Sequence, residues 1–141
     1  MTYLVDANVL SERTKPEPAE SVAAWLALHQ RRLVINPIIL AELEYGILLL
    51  PAGRRRTRLE KWFSAGVKTL PVLDLDAETA KVWAELLAEL KHNGRAMPIK
   101  DSLIAATARQ HRLTVATRNV NDYRYAGVAM VNPFAVGAKP Q

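Results

Sequence analysis

The 141-residue sequence contains no cysteine, which excludes disulfides, thiolate zinc sites and cysteine nucleophiles. A disulfide-stapled secreted domain is therefore excluded, and the reducing cytoplasm is the expected location. The sequence also has no apolar run near the roughly 18 residues that span a bilayer, so we expect no membrane segment. The N-terminus reaches Asp6 without a basic region, so we expect no signal peptide.

Glycine and histidine are scarce, and neither is arranged as a common catalytic motif. The six glycines are scattered at positions 46, 53, 66, 94, 127 and 137, so the sequence has no Gly-rich phosphate loop. It has no Gly-x-Ser-x-Gly nucleophile elbow either. The three histidines, at positions 29, 92 and 111, lack metal-ligand spacing. These absences leave little support for covalent or histidine-based catalysis.

The composition predicts one globular domain with a basic surface. Half of the residues are hydrophobic and 23% are charged, which is typical of a folded domain rather than a disordered chain. We expect a single domain over residues 1–134 and a disordered tail over residues 135–141. The 19 Lys and Arg residues against 14 Asp and Glu give a net charge of +5, which favours polyanionic partners, nucleic acid first among them.

Short apolar runs alternate with segments of helical periodicity. Strands are predicted at residues 3–5, 33–35, within 68–73, 113–116 and 130–131. Helical segments are predicted at residues 8–12, 19–30, 37–50, 54–63, 77–92 and 99–111. This alternation predicts an α/β fold with a mainly parallel sheet, in which ligands bind beyond the carboxyl ends of the strands. The Ala-rich helix over residues 99–111 is expected to be central and tightly packed.

Three carboxylates and one polar loop fall at these strand ends or open the central helix. Asp6 closes the first strand, although an N-cap role explains it equally well. Glu42 lies in an apolar helix, about 200° around it from Glu44, and is either functional or an ordinary surface glutamate. Asp101 lies in the first turn of the central helix, where the helix dipole alone explains an acid. The loop over residues 117–123 is explained as well by turn chemistry as by function.

The coincidence of these four signals favours a metal-dependent nuclease. Several carboxylates in one cleft repel one another unless a divalent cation neutralises them. Ligation by oxygen atoms alone selects Mg²⁺ or Mn²⁺. Such an ion bridges a phosphate, generates hydroxide and supports the leaving oxygen, while basic residues outside the site hold the rest of the nucleic-acid backbone.

Over nearly its whole length, the chain resembles the PIN-domain ribonucleases, specifically the VapC-type toxins of bacterial toxin–antitoxin pairs. The resemblance is carried by Leu4-Val5-Asp6-Ala7-Asn8-Val9-Leu10-Ser11-Glu12, Ala41-Glu42-Leu43-Glu44-Tyr45-Gly46, Lys100-Asp101-Ser102-Leu103-Ile104-Ala105-Ala106-Thr107-Ala108, Thr117-Arg118-Asn119-Val120-Asn121-Asp122-Tyr123 and Asn132-Pro133-Phe134. It implies a PIN-like α/β/α sandwich with a mainly parallel central sheet surrounded by helices. The implied activity is Mg²⁺- or Mn²⁺-dependent endoribonuclease cleavage of RNA.

The resemblance also implies roles for particular residues. Asp6, Glu42 and Asp101 are the implied metal ligands, and the fourth catalytic acid is Asp122, acting in place of Asn119 or through water. Whether a second metal ion binds stays open. Asn8, Thr117 and Asn119 are expected to support the acids.

The resemblance further implies a homodimer and a VapB-type antitoxin that occupies the acidic cleft, often through an arginine. Arg118 and Arg124 lie near the predicted site and are candidates for phosphate contact. Arg54 and Arg55 belong to a basic cluster that either holds RNA or is simply a solvated helix face.

Two other functions compete with this interpretation. Asp6-x-Asn8 faintly resembles the haloacid-dehalogenase phosphatases, but these enzymes require an acid where this chain has Asn8. A non-catalytic domain that binds a partner through an acidic cleft is the second alternative. Lys100 superficially resembles the lysine of a receiver domain, but it precedes a helix rather than ending a strand.

Overall fold

The protein is built on a small parallel sheet. A computed structural model describes residues 1–135, which contain the strands β1 (Tyr3–Val5), β2 (Leu33–Val34), β3 (Thr114–Ala116) and β4 (Ala129–Val131). All neighbouring strands are parallel, in the order β2-β1-β3-β4. The predicted parallel sheet is confirmed. Apart from Ala135, the predicted disordered tail lies outside the described residues.

The strand predicted within residues 68–73 is wrong. Residues Val67–Thr69 form a 3-10 helix, and only Val72 pairs with the sheet, through a single parallel bridge to Ile35. Pro71 accepts a hydrogen bond from the Ile35 N–H at 3.0 Å. Because proline has no N–H of its own, it donates nothing to extend the ladder, and the pairing is limited to one bridge.

Six α-helices occupy the described residues: α1 (Ala7–Leu10), α2 (Glu20–Leu28), α3 (Pro37–Leu48), α4 (Arg54–Ala65), α5 (Ala77–His92) and α6 (Ile99–His111). The helical turn predicted over residues 8–12 is divided between α1 and the 3-10 helix Ser11–Thr14. The α2 and α3 helices end two residues earlier than predicted. Within residues 1–135, no helix is both long enough and apolar enough to cross a membrane.

Helix α6 lies at the centre of the fold, as its alanines predict. Ala105, Ala106 and Ala108 are at most 1% exposed. Asn36 caps α3 by accepting the Ile39 N–H at 3.0 Å, and its amide donates to the Thr107 hydroxyl of α6 at 3.0 Å. This buried pair joins the start of α3 to α6.

A second hydrogen bond holds the first turn of α6. The Trp83 indole of α5 donates to the Ser102 hydroxyl at 2.9 Å, and that hydroxyl donates to the Ile99 carbonyl. The helices that carry Glu42 and Asp101 are therefore both fixed to the core by buried polar contacts.

Candidate active site

Asp6 lies at the carboxyl end of β1, where it also caps α1. Its Oδ1 accepts the Ala7 N–H at 2.8 Å. Its Oδ2 accepts hydrogen bonds from the Thr117 hydroxyl at 2.8 Å and from the Asn8 amide and Tyr123 hydroxyl, each at 3.3 Å. The side chain is buried, and burial raises the pKa of this carboxyl although all four hydrogen bonds act to lower it. The structure therefore shows an N-cap whose negative charge is poorly solvated.

Glu42 projects from α3 toward the same edge of the sheet. Its side chain is 23% exposed, and its Oε2 lies 3.9 Å from the Lys100 ammonium. Its Oε1 is buried and has no hydrogen-bond partner among the described residues. Burial and the negative charges of Asp6 and Asp101 raise the pKa of Glu42, and Lys100 opposes them. Glu44, on the other side of α3, is exposed, so the expectation that one of the two glutamates is solvated is met.

Asp101 completes a group of three acids. It lies half-buried in the first turn of α6, and its Oδ1 accepts a hydrogen bond from the Tyr123 hydroxyl at 3.3 Å. Burial and the charges of Asp6 and Asp122 raise the pKa of Asp101 to about 6. A helix dipole acting alone stabilises the ionised form and lowers a pKa, so burial, together with the neighbouring acids, outweighs the dipole.

The loop after β3 contributes both hydrogen-bonding groups and negative charge to this edge of the sheet. The Thr117 hydroxyl accepts the Asn119 N–H at 3.0 Å while it donates to Asp6. The side chains of Asn119 and Asp122 are both exposed. Asp122 is close enough for its charge to raise the pKa of Asp101. Asn119 contributes its backbone N–H to the network, whereas Asp122 contributes negative charge.

Tyr123 is a residue of the site that sequence reasoning missed. It ends the 3-10 helix Val120–Tyr123 and is completely buried, and its hydroxyl lies 3.3 Å from both Asp6 Oδ2 and Asp101 Oδ1. The sequence does carry a signal for it. An aromatic residue closes the polar loop, and a buried tyrosine hydroxyl needs a polar partner, which in an acid-lined cleft is a carboxylate.

The PIN-domain sequence profile matches residues 3–128. The chain belongs to the PIN-domain family. It is 36% identical over 135 residues to toxin FitB of Neisseria gonorrhoeae, covering 93% of this chain and 97% of FitB. It is 36% identical over 137 residues to VapC ribonuclease Y4jK of Sinorhizobium fredii, covering 93% and 96% of the two chains. The crystal structure of FitAcB from Neisseria gonorrhoeae matches with a TM-score of 0.88 at 36% identity, covering 94% of this chain and 99% of that one.

The PIN fold expected from the resemblance is thereby confirmed, and the phosphatase alternative loses its support. The Asn8 amide donates at 3.3 Å to both Asp6 and Thr117, and its Oδ1 accepts the Arg118 N–H at 3.0 Å. Asn8 is therefore a fixed link between β1 and the loop after β3, at the position where a haloacid-dehalogenase phosphatase needs a free acid.

The candidate arginines differ in their contacts with the rest of the site. Arg118 is joined to the acid network through its backbone, and its exposed guanidinium stacks 4.5 Å from the centre of the Phe134 ring. Arg124 donates to the Asn121 side chain at 3.3 Å. Arg54 and Arg55 are exposed at the start of α4. Helix α4 reaches the site only through a groove.

This groove has a volume of about 220 Å³ and is bordered by Asn8, Glu42 and Gly46 on one side and by Leu59 and Trp62 of α4 on the other. A larger cavity of about 1000 Å³ lies elsewhere, among residues 27–33 and 69–71, at the amino end of β2. In a parallel α/β sheet the functional edge is the carboxyl end of the strands. The smaller groove, and not the larger cavity, is therefore the one connected to the acids.

The chemistry of these acids suits a divalent cation. PIN-domain nucleases generally depend on such a cation. All the donors are oxygen atoms, as Mg²⁺ and Mn²⁺ prefer, and the unpartnered Glu42 Oε1 is an orphaned buried acceptor. Within residues 1–135, no group of three or more His, Asp or Glu side chains is arranged to hold an ion as it stands. The Glu42 carboxylate is tethered by one ion pair, at 3.9 Å to Lys100.

Proposed function

We propose that this chain is an Mg²⁺- or Mn²⁺-dependent endoribonuclease of the VapC toxin type, which hydrolyses RNA phosphodiester bonds in the cytoplasm and is inhibited by a cognate VapB-type antitoxin. The observation that carries the proposal is the meeting of Asp6, Glu42 and Asp101, all with raised pKa values, at one edge of the sheet. The relatives named as a toxin and as a ribonuclease support the choice of RNA as substrate.

The four acids of the site have two roles in this proposal. Asp6, Glu42 and Asp101 would hold the cation, and Asp122 would add the fourth negative charge. When bound, the cation supplies Lewis-acid stabilisation of the phosphate and a lowered pKa of water. Four hydrogen bonds fix the Asp6 carboxylate, so it needs no reorientation. The less constrained Glu42 carboxylate closes the site.

Basic and amide groups around the acids would hold the RNA. Arg118 is the best-placed contact, because its backbone belongs to the acid network and its side chain is exposed. Arg124 lies six residues further along the chain. Arg54 and Arg55 begin α4, the helix whose Leu59 and Trp62 border the groove. Asn119 is neutral, so it would orient a water molecule or a phosphate without balancing the charge of the cation.

The antitoxin would enter along the groove that begins at Glu42. Tyr45, Leu48 and Leu49 form an apolar face at the end of α3, with exposed fractions of 62%, 57% and 66%. Gly46 and Ile47, which lie between these residues in sequence, line the groove. The solved structures that match this chain are toxin–antitoxin complexes, which supports this assignment. A homodimer is the proposed assembly of the catalytic chain.

The proposal is tested by matched substitutions on α3. The purified chain is incubated with total RNA in Mg²⁺ or in EDTA, and new 5′ ends are mapped. We expect cleavage that EDTA abolishes, and a loss of at least about 100-fold in Glu42→Gln. Glu44→Gln alters an exposed glutamate two residues away and should cleave at the wild-type rate. A Glu42→Gln protein as active as wild type, or RNA left intact by wild type in Mg²⁺, contradicts the proposal.

A further inference from the structure

Tyr123 occupies an unusual position in the loop after β3. The preceding residues Asn119, Asn121 and Asp122 are exposed, whereas Tyr123 is completely buried. Its ring belongs to the hydrophobic core. Its hydroxyl lies between two carboxylates that come from opposite ends of the sequence, one at the end of β1 and the other in the first turn of α6.

The hydroxyl is the one group that contacts both of these acids in the described part of the chain. A tyrosine hydroxyl keeps its proton at physiological pH, because the ordinary pKa of tyrosine is about 10. The hydroxyl has one proton, which it donates to one of these two mutually repelling carboxylates at a time or shares between them. Hydrogen bonds to ionised acceptors are stronger than those between neutral groups.

The contacts engage only one oxygen of each acid. Tyr123 approaches Asp6 Oδ2, which also accepts from Thr117 and Asn8, whereas Asp6 Oδ1 accepts only the Ala7 N–H. On Asp101 the hydroxyl approaches Oδ1. One oxygen of each carboxylate is therefore turned toward Tyr123. The other oxygen of Asp6 accepts a single backbone hydrogen bond, so it keeps a lone pair for a further ligand.

We propose that Tyr123 is a positioning residue whose hydroxyl ties Asp6 Oδ2 to Asp101 Oδ1 and sets the spacing of the two carboxylates before a cation binds. The proposal rests on the metal site of the proposed function, and it adds a group that does not itself touch the ion. Residues that orient metal ligands typically change metal affinity 10–100-fold when removed. The core packing of the ring is a separate contribution.

Calorimetric titration with Mg²⁺ separates these two contributions. Tyr123→Phe keeps the ring and removes the hydroxyl, and we expect it to raise the Mg²⁺ dissociation constant about tenfold. Tyr3→Phe is the control, because Tyr3 is 5% exposed and packs on Trp25 at the start of β1, the end opposite to Asp6. We expect Tyr3→Phe to leave Mg²⁺ binding unchanged. Affinity in Tyr123→Phe that equals or exceeds the wild-type value overturns the proposal.

A double-mutant cycle in EDTA tests the same link between Asp6 and Asp101, through the Tyr123 hydroxyl, without any metal. We expect Tyr123→Phe to lower the melting temperature more in the wild-type background than in Asp101→Asn, because the tie links two negative charges. Equal losses in both backgrounds show that Tyr123 is only a core residue and overturn the proposal. Failure of wild type to bind Mg²⁺ overturns the proposed function, and the cycle in EDTA still decides the role of Tyr123.

Discussion

Asp6 and Asp76 begin helices in the same way but lie in opposite electrostatic environments. Asp6 caps α1 by accepting the Ala7 N–H at 2.8 Å, and Asp76 caps α5 by accepting the Thr79 N–H at 2.9 Å. The Asp76 side chain is exposed, and its hydrogen bonds with Thr79 and Gln110 hold its pKa below the usual value. Asp6 accepts hydrogen bonds from three other side chains, yet burial raises its pKa.

The difference lies in what surrounds the cap. Asp76 belongs to a capping box that water also solvates, so its charge stabilises the helix and nothing further is needed. Asp6 is surrounded by the core, and its charge repels those of Glu42 and Asp101. The ionised form of Asp6 is therefore destabilised until an external positive charge arrives, and this makes it suited to a cation.

The largest expected effect separates the two caps by activity. We expect Asp6→Asn to lower the initial rate of RNA cleavage at least about 100-fold, because the variant loses a proposed ligand charge. Asp76→Asn keeps a good N-cap and should cleave within about twofold of wild type. Rates are measured on one RNA substrate at saturating Mg²⁺. If both variants lose a similar fraction of the cleavage rate, the reaction depends on N-cap geometry and not on the charge of a metal ligand.

The next effect concerns the exposed acid of the site. Asp122 is exposed like Asp76, but its charge reaches Asp101. We expect Asp122→Asn to raise the Mg²⁺ midpoint of cleavage about tenfold and to slow cleavage, whereas Asn119→Asp should keep activity or lower that midpoint. The measurement is cleavage rate against Mg²⁺ concentration for both variants. If Asp122→Asn leaves the Mg²⁺ midpoint and the cleavage rate unchanged while Asn119→Ala is inactive, the fourth position of the site belongs to Asn119 and not to Asp122.

The starts of the helices and the meeting of the three acids are predictable from the sequence, because strand ends and helix starts carry local signals. Asn36-Pro37 predicts the start of α3, and Asp76 predicts the start of α5, as observed. The expectation that Asp6, Glu42 and Asp101 converge follows from the parallel sheet, whose carboxyl ends meet at one edge. The structure places the charges of all three acids within reach of one another.

What sequence could not supply depends on tertiary burial. The residues around Asp6 and those around Asp76 are both compatible with an ordinary N-cap. The sequence pattern of an N-cap does not show whether water solvates its carboxylate. Glu42, at the margin of an apolar stripe, is explained equally well as a surface residue, and the burial of its unpartnered Oε1 depends on tertiary packing that the local pattern does not describe. The contact of Tyr123 with Asp101 joins the 3-10 helix after β3 to the first turn of α6, and no spacing rule encodes such a contact.

The smallest effect is a pH dependence that separates the two caps by where they titrate. In EDTA, the raised pKa values of the site acids, about 6 for Asp101, mean that the native state binds protons more tightly than the unfolded chain. This stabilisation is complete below the unfolded pKa and is lost as pH rises through the folded pKa. The melting temperature should therefore rise by a few degrees between about pH 7.5 and about pH 5.

The lowered pKa of Asp76 has the opposite sign, because its contribution is present above the ordinary value of 3.8 and is lost only as pH falls through the folded pKa. The acids of the site and the Asp76 cap therefore titrate in separate pH windows, and the Asp76 window lies below the range from about pH 7.5 to about pH 5. Thermal melts in EDTA of wild type and Asp101→Asn check this directly, since the variant should show a flatter rise over the same range. Two results would contradict this prediction: a wild-type melting temperature that does not change with pH, or a variant that follows the wild-type curve. Either result means that the acids of the site are solvated like Asp76, so that the two caps do not differ in their electrostatic environment.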